Sequence, residues 1–416
     1  MTREEHYQKI QALSDANKYI MLRLPTSFGK SKVAIDLISN NLGHTDKNVL
    51  IVVPRLVLMD NWRAELEKWN FPKEIQVTLT TYVSFPKHAD KFWDYILIDE
   101  CHHFTENCAE AVESFKYDRV IAMSATIPKE ARWRLQDSFP GIKAYSVTAR
   151  DAIDDKILPD PKVILIPMML ENKSIDEVIV KQKSKPGPVV TVSWSERFSV
   201  RLIKNRPIHI RCTAQQWYDY TSELVEWWKQ QYIASQQVYQ KNNWLRLAKE
   251  RLNFCAEKKE PFVKKLLEVL SDKRVLTFCT SIAQTEALGE YCINSKSKKL
   301  SLEYLKQFNE GEISQITACG MLNEGMNLLN CQVGIYANIG SSEIVEVQRL
   351  GRILRHQNPL IIIPYYVATR EEEIVAKMLK NYNPDFIRRL YQSEVTADRI
   401  NEILQEEEYG TTEDND

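Results

Sequence analysis

Between Tyr19 and Thr126 the chain alternates short apolar runs with amphipathic stretches, and this alternation restricts its fold more than any other property of the sequence. YIMLRLP (19–25), NVLIVVP (48–54), YILIDE (95–100) and RVIAMSAT (119–126) are the runs, each closed by proline, threonine or an acid. A short apolar run without polar alternation suits a strand covered on both faces, the condition of a parallel sheet. Between the runs, KVAIDLISNNL (32–42) and LMDNWRAELEKW (58–69) place apolar residues at helical spacing. Strand, helix, strand in this order predicts an α/β, doubly wound sheet with ligands at the carboxyl ends of its strands.

The pattern returns at RVLTFCT (274–280), ISQITACG (313–320), CQVGIYANI (331–339) and PLIIIPYYV (359–367), with YLKQF and VEVQRLGRIL as helices between them. Two lobes are therefore expected, residues 1–150 and 271–385. Residues 151–270 are read as connecting strands, a hairpin and a helical segment, and 386–416 as a terminal helix with an acidic tail. In the connecting part, PKVILIPMML (161–170) and VVTVSWSERFSVRLI (189–203) are strand-like, split by KQKSKPGP (181–188), which reads as a loop or hairpin tip. From Thr213 to about Leu270 the pattern is helical, and Trp217, Tyr220, Leu224 and Trp228 form a stripe expected to pack into the core.

Chemistry enters at LPTSFGKSK, Leu24 to Lys32, directly after one predicted strand and before a predicted helix. A helix N-terminus and successive backbone N–H groups aim at an anion there. Gly29 permits close backbone approach, Lys30 reaches β and γ phosphates, and the Ser31 hydroxyl ligates Mg2+. The strict G-x-x-x-x-G-K-[ST] pattern fails, because its first glycine would be Leu24. A Gly-Lys-Ser turn alone is common; LIDECHHF (97–104) supplies the second half of the site, ending another strand with Asp99 and Glu100. One carboxylate can hold Mg2+ while the other polarises an attacking water.

These motifs, in this order, resemble the superfamily 2 helicases and translocases. PTSFGKS looks like their motif I, VVPRLVLMDNW (52–62) motif Ia, LTTYVSF (79–85) motif Ib, DECH (99–102) motif II and SAT (124–126) motif III. VLTFCTS (275–281) stands where motif IV belongs, LNEGMNL (322–328) is similar to motif V, and QRLGRILRH (348–356) to motif VI. The resemblance runs over residues 1 to 370 and, within the superfamily, is nearest to UvsW-like and Rad25-like DNA repair helicases, with type III restriction translocase subunits as relatives. It implies two tandem RecA-like lobes, ATP and Mg2+ as cofactors, and a nucleic-acid-stimulated ATPase.

Position by position, the resemblance implies a nucleotide pocket of Pro25, Thr26, Ser27, Phe28, Gly29, Lys30, Ser31 and Lys32, with Gln8 reading adenine and Gly325 beside the nucleotide. Ser31 and Asp99 would hold Mg2+. Gln348, Arg352 and Arg355 would reach the cleft from the second lobe, the arginines spreading over the γ-phosphate oxygens as planar guanidinium groups can. Ser124, Thr126, Glu324 and Asn327 would couple nucleotide state to movement, although Asn327 stands where the family usually has Asp. Nucleic-acid contacts would come from Pro54, Arg55, Thr81, Tyr82, Thr280 and Ser281, through amides and hydroxyls that hold phosphates without reading sequence.

The charge balance neither demands nor forbids such a partner. Net charge is −1, but residues 402–416 hold seven acids and no Lys or Arg, so the rest of the chain carries +6. The eight cysteines form no C-x-x-C pair, no run approaches the ~20 apolar residues of a membrane span, and MTREEHYQKI is too charged for a signal peptide. A cytoplasmic protein of a bacterial or phage-infected cell is expected, with single-stranded or branched DNA as partner, RNA as the alternative, no membrane contact, and the acidic tail as the segment for any protein partner. The competing functional class is a nucleic-acid-binding switch or translocase that uses ATP without unwinding.

Overall fold

Residues that alternate along a strand face opposite sides of its sheet, so a run with no polar residue needs helices on both sides. In the computed structural model, which describes residues 1–43, 46–181, 188–197, 207–320, 328–340 and 349–406, the first lobe meets that need. Its strands are β1 (Tyr19–Arg23), β2 (Lys47–Val53), β3 (Ile75–Thr81), β4 (Phe92–Asp99), β5 (Lys116–Ser124) and β6 (Lys143–Ser146), in the order β3-β2-β4-β5-β1-β6. Every neighbouring pair is parallel. The four expected runs are the central strands, whereas edge strands β3 and β6 are only partly buried and therefore carry no continuous apolar signal.

Helices α1 (Arg3–Ala16), α2 (Lys30–Leu42) and α3 (Leu56–Lys68) cover one face through Ile10, Ile35 and Trp62, packed on Ile20, Leu22, Ile51 and Leu97. Helices α4 (Glu106–Val112) and α5 (Lys129–Ser138) cover the other, where Val112 and Leu135 meet Met21, Val52 and Ile98. After α6 (Ala149–Asp154), the same apolar cluster continues through Ile153, Leu158 and Val163 into the second lobe.

There the chain adds β7 (Lys162–Met168), β8 (Glu177–Lys181), β9 (Val190–Ser193), β10 (Ile208–Cys212), β11 (Val275–Phe278), β12 (Cys292–Ile293), β13 (Gln315–Ala318), β14 (Val333–Tyr336), β15 (Leu360–Tyr366) and β16 (Ile387–Arg389). Seven of them form an all-parallel sheet in the order β12-β13-β11-β14-β15-β7-β16. This corrects the expected boundary: β7 is no connector but an inner strand of the second lobe, because its apolar run needs cover on both faces. β8, β10 and β9 make a separate small sheet.

Helices α7 (Ala214–Ser235) and α8 (Val238–Val269) form an antiparallel pair, followed by α9 (Ile282–Leu288) and α10 (Lys298–Glu310). Trp217 stacks on Phe254 at 4.1 Å and Tyr220 meets Trp194 edge-on at 6.4 Å, so these members of the aromatic stripe do pack internally. The base of α8 is pinned by the buried Lys259, whose Nζ lies 2.7 Å from Glu371 Oε1, while Glu371 Oε2 accepts from the Tyr366 amide. Separating one partner from such a pair costs about 3–5 kcal/mol, which roots the helix firmly in the lobe. Most of KQKSKPGP, the acidic residues after 406, Gln348, Glu324, Gly325 and Asn327 lie outside the described residues.

Candidate active site

The loop between β1 and α2 turns tightly: the Phe28 amide donates to the Pro25 carbonyl, Ser27 sits at φ 71° and Gly29 at φ 101°. Both lie in the left-handed region, which costs a serine about 1–2 kcal/mol and a glycine little. A Cβ on Gly29 would also come within 2.9 Å of the Tyr7 hydroxyl. Phe28 is fully buried against His6 and Tyr7, so its side chain anchors the loop and only its backbone is available to a ligand. Lys32 turns aside to pair with Asp36 at 2.5 Å and to lie over the Trp69 ring, leaving Lys30 as the loop cation directed at the acids.

Those acids follow β4. Lys30 Nζ is 3.6 Å from Glu100 Oε1. Glu100 is held at φ 49°, and its other oxygen lies 2.9 Å from Ser124 Oγ, which in turn is 2.8 Å from His102 Nδ1. Burial alone would raise the Glu100 pKa, but Lys30, His102 and Ser124 outweigh it and hold it down to about 2. Asp99 moves the other way: burial and then the Glu100 charge push it up to about 6 against the hydrogen bond from Trp62 and the nearby charge of Lys30. Its Oδ1 accepts from the Glu100 amide and its Oδ2 from Trp62 Nε1, each at 2.9 Å.

Mg2+ fits this donor set. A carboxylate and the Ser31 hydroxyl are hard oxygen ligands, and Asp99 keeps lone pairs beyond its two accepted bonds. Among the described residues no group of three His, Cys, Asp or Glu could hold a metal ion by itself.

The second lobe closes the cleft, a cavity of about 1260 Å3 lined by Ser27, Lys30, Glu100, Arg352 and Arg355 among others. Ser27 Oγ donates to the Gly351 carbonyl at 2.8 Å and accepts from Arg355 Nε at 3.2 Å. Arg355 Nη1 also reaches the Leu328 carbonyl. Arg352 is buried beside it. At Gly351 the lobes touch so closely that a Cβ would lie 2.1 Å from Thr26 Cβ. Gly351→Ala is therefore expected to hold the lobes apart and lower kcat by about 100-fold, the scale of a misplacement near 1 Å, with the melting temperature nearly unchanged. Steady-state turnover alongside thermal denaturation checks both halves.

Several expected residues sit elsewhere. Gln8 is exposed on α1 and does not line the cleft, while Arg3 does. Tyr82 is buried and donates its hydroxyl to the Asp99 carbonyl at 2.7 Å, so it ties β4 in place instead of presenting itself to a strand. Pro54, Arg55 and Thr81 stand at the carboxyl ends of β2 and β3, with Arg55 exposed. Thr280 Oγ1 is 3.4 Å from Asn253 Oδ1, and Ser281 caps α9. Ser124 Oγ donates to Glu100 Oε2, and Thr126 Oγ1 is buried without a hydrogen-bond partner among the described residues. Trp62 was missed: Leu58 and Trp62 mark the buried face of α3, but no sequence pattern says that the indole N–H ends on Asp99.

Residues 3–129 match the family described as type III restriction enzyme, res subunit, and residues 258–357 match the helicase conserved C-terminal domain. The chain belongs to the superfamily 2 helicases. It is an ATP-hydrolysing enzyme of helicase type, built from two RecA-like lobes. A comparison with curated proteins gives no match. Among solved structures, the chain is similar to S. cerevisiae Dbp5 bound to RNA and ADP BeF3, at 9% identity and TM-score 0.58, covering 95% of this chain and 90% of that one. It is also similar to the ATP-dependent type ISP restriction-modification enzyme LlaBIII bound to DNA, at 11% identity and TM-score 0.55, covering 98% of this chain and 33% of that one. At such identities the likeness is one of fold. No helix among the described residues is long and apolar enough to cross a membrane.

Proposed function

We propose that this superfamily 2 enzyme hydrolyses ATP between its lobes to move along or unwind nucleic acid, DNA foremost. One observation carries the reading: Arg355 of the second lobe is bonded to Ser27 of the phosphate loop, in the same cleft as Lys30 and Glu100. ATP phosphates arriving at the loop draw Lys30 away from Glu100. Ser31 and Asp99 would hold Mg2+, which would supply positive charge against the phosphate oxygens. Glu100, ionised and steadied by Ser124 and His102, orients the attacking water and accepts its proton. Arg355 and Arg352 stabilise charge on the transferred group, with Gln348 beside them.

Each such turnover changes what bridges the lobes, so strand contacts on both can advance in alternation. Pro54, Arg55 and Thr81 supply them in the first lobe, Thr280 and Ser281 in the second. The match to restriction-enzyme res subunits favours DNA, and the fold shared with an RNA-bound protein makes RNA a necessary arm of the test. Steady-state ATPase is measured with single-stranded DNA, branched DNA, RNA or none, against a Lys30→Ala background. DNA stimulation is expected, and turnover absent from Lys30→Ala. Stimulation by RNA alone would overturn the DNA assignment, and indifference to every nucleic acid would overturn the motor.

A further inference from the structure

The outer half of the α7–α8 pair has a composition unlike the rest of the chain. Residues 227–249 hold Lys229, Lys241, Arg246 and Lys249, five Trp or Tyr, seven Gln or Asn, and no Asp or Glu. Helices that merely solvate a surface mix both charges. Here the rings also fail to sink: Trp227 is 52% exposed and Tyr239 55%, with Val238 and Ile233 beside them at 70% and 55%. They are nonetheless held in place. Trp228 is wedged edge-on between Trp227 at 4.6 Å and Tyr239 at 6.0 Å, and Tyr232 stacks on Trp244. Only the base of the pair enters the second lobe's core, through Ala214 and Tyr218 of α7 and residues from Phe254 onward in α8.

The position of this half is set by Asn253. Its side-chain oxygen is 3.4 Å from Thr280, at the end of β11, where the second lobe is proposed to hold a strand. Counting back along α8 by three or four residues from Asn253 gives Lys249, Arg246, Asn242 and Tyr239, one face of one helix. Those four are all exposed, and the fourteen steps from Asn253 to Tyr239 rise about 21 Å. A stripe of amides, cations and a terminal aromatic ring thus begins at the proposed strand contact and runs outward. The one acid among residues 238–253, Glu250, pairs with Arg246 at 2.6 Å, a surface pair that a phosphate can replace.

We infer that this stripe is a further binding site for a single strand of nucleic acid. Lys249 and Arg246 take phosphates, and Tyr239 and Trp227 at the tip stack on bases. The inference rests on the proposed strand contact at Thr280 and extends it to a surface with no nucleotide role. Positive charge with interleaved exposed rings, and no readout pattern, is the chemistry of sequence-tolerant single-strand binding.

The test compares the full chain with Trp227→Ala/Tyr239→Ala and with Arg246→Gln/Lys249→Gln, all surface changes. Binding of labelled single strands of increasing length is followed by anisotropy, with ATPase in the absence of nucleic acid as the folding control. The aromatic variant is expected to bind long strands about tenfold or more weakly while short strands are unaffected. The cationic variant is expected to flatten the slope of log affinity against log salt by about 1.4, at ~0.7 per phosphate contact. Wild-type affinity and salt slope in both variants, with the wild-type enzyme still stimulated by nucleic acid, would overturn this inference alone and leave the patch to a protein partner. Failure of the wild type to bind any strand would overturn the motor reading and this inference with it.

Discussion

Arg355→Ala is expected to keep nucleotide binding within a few-fold of wild type while lowering turnover by about three to five orders of magnitude. The asymmetry follows from where the side chain sits. In the proposed mechanism phosphate binding is carried by the loop of the first lobe, whose backbone and Lys30 are untouched by the change. Arg355 reaches the loop from the other lobe, bonded to Ser27 at 3.2 Å and to the Leu328 carbonyl at 3.2 Å. Its charge matters most when negative charge spreads over the equatorial oxygens of the transferred phosphoryl group, so its loss is felt in the transition state more than in the bound ground state. Fluorescent-nucleotide titration and single-turnover hydrolysis separate the two quantities. Turnover at the wild-type rate would remove Arg355 from the finger role.

Glu100→Gln should slow hydrolysis by about two to four orders of magnitude and bind ATP as well as the wild type or better. A glutamine keeps a bond to Ser124 but cannot take a proton. Lys30, now 3.6 Å from a carboxylate, loses its anionic neighbour and becomes wholly available to phosphate. The burial and neighbouring charge that raise the Asp99 pKa are also reduced to burial alone, so Asp99 ionises more readily for the metal. The expected product is an enzyme trapped with ATP and closed lobes, seen as burst-free, stoichiometric retention of labelled nucleotide. Rapid turnover would move the general-base role to another group.

Gly351 shows why these two variants should differ from a simple loss of fold. The two lobes meet at van der Waals contact beside Thr26, so chemistry and closure share one small surface. A change there acts on geometry; a change at Glu100 or Arg355 acts on charge.

Sequence alone determined the central strands and which loop and acidic residues stand at their ends. An apolar run such as YILIDE admits few environments, because a parallel strand buried on both faces is mostly apolar until it nears the end of the sheet. The acids therefore mark the strand end as well as the site, and Gly29, Lys30 and Ser31 mark the next turn for the same reason. Edge strands β3 and β6 were hidden, since half-exposed residues tolerate any composition, and β7 was visible as a strand but not assignable to a lobe.

Only the tertiary structure decided which side chains meet. Sequence order keeps Trp62 and Asp99 apart and cannot say that an indole N–H takes up one carboxylate oxygen. Nor could it separate the roles of Phe28 and Tyr82, motif residues whose side chains turned inward to hold the loop and strand that carry the site. Whether a ring packs or faces water also depends on what the rest of the chain brings to it: Trp217 met Phe254, while Trp227 lies beyond the reach of the lobe. Local patterns of hydrophobicity are short-ranged and survive in the sequence, whereas hydrogen-bond partners and exposure are set by residues tens to hundreds of positions away.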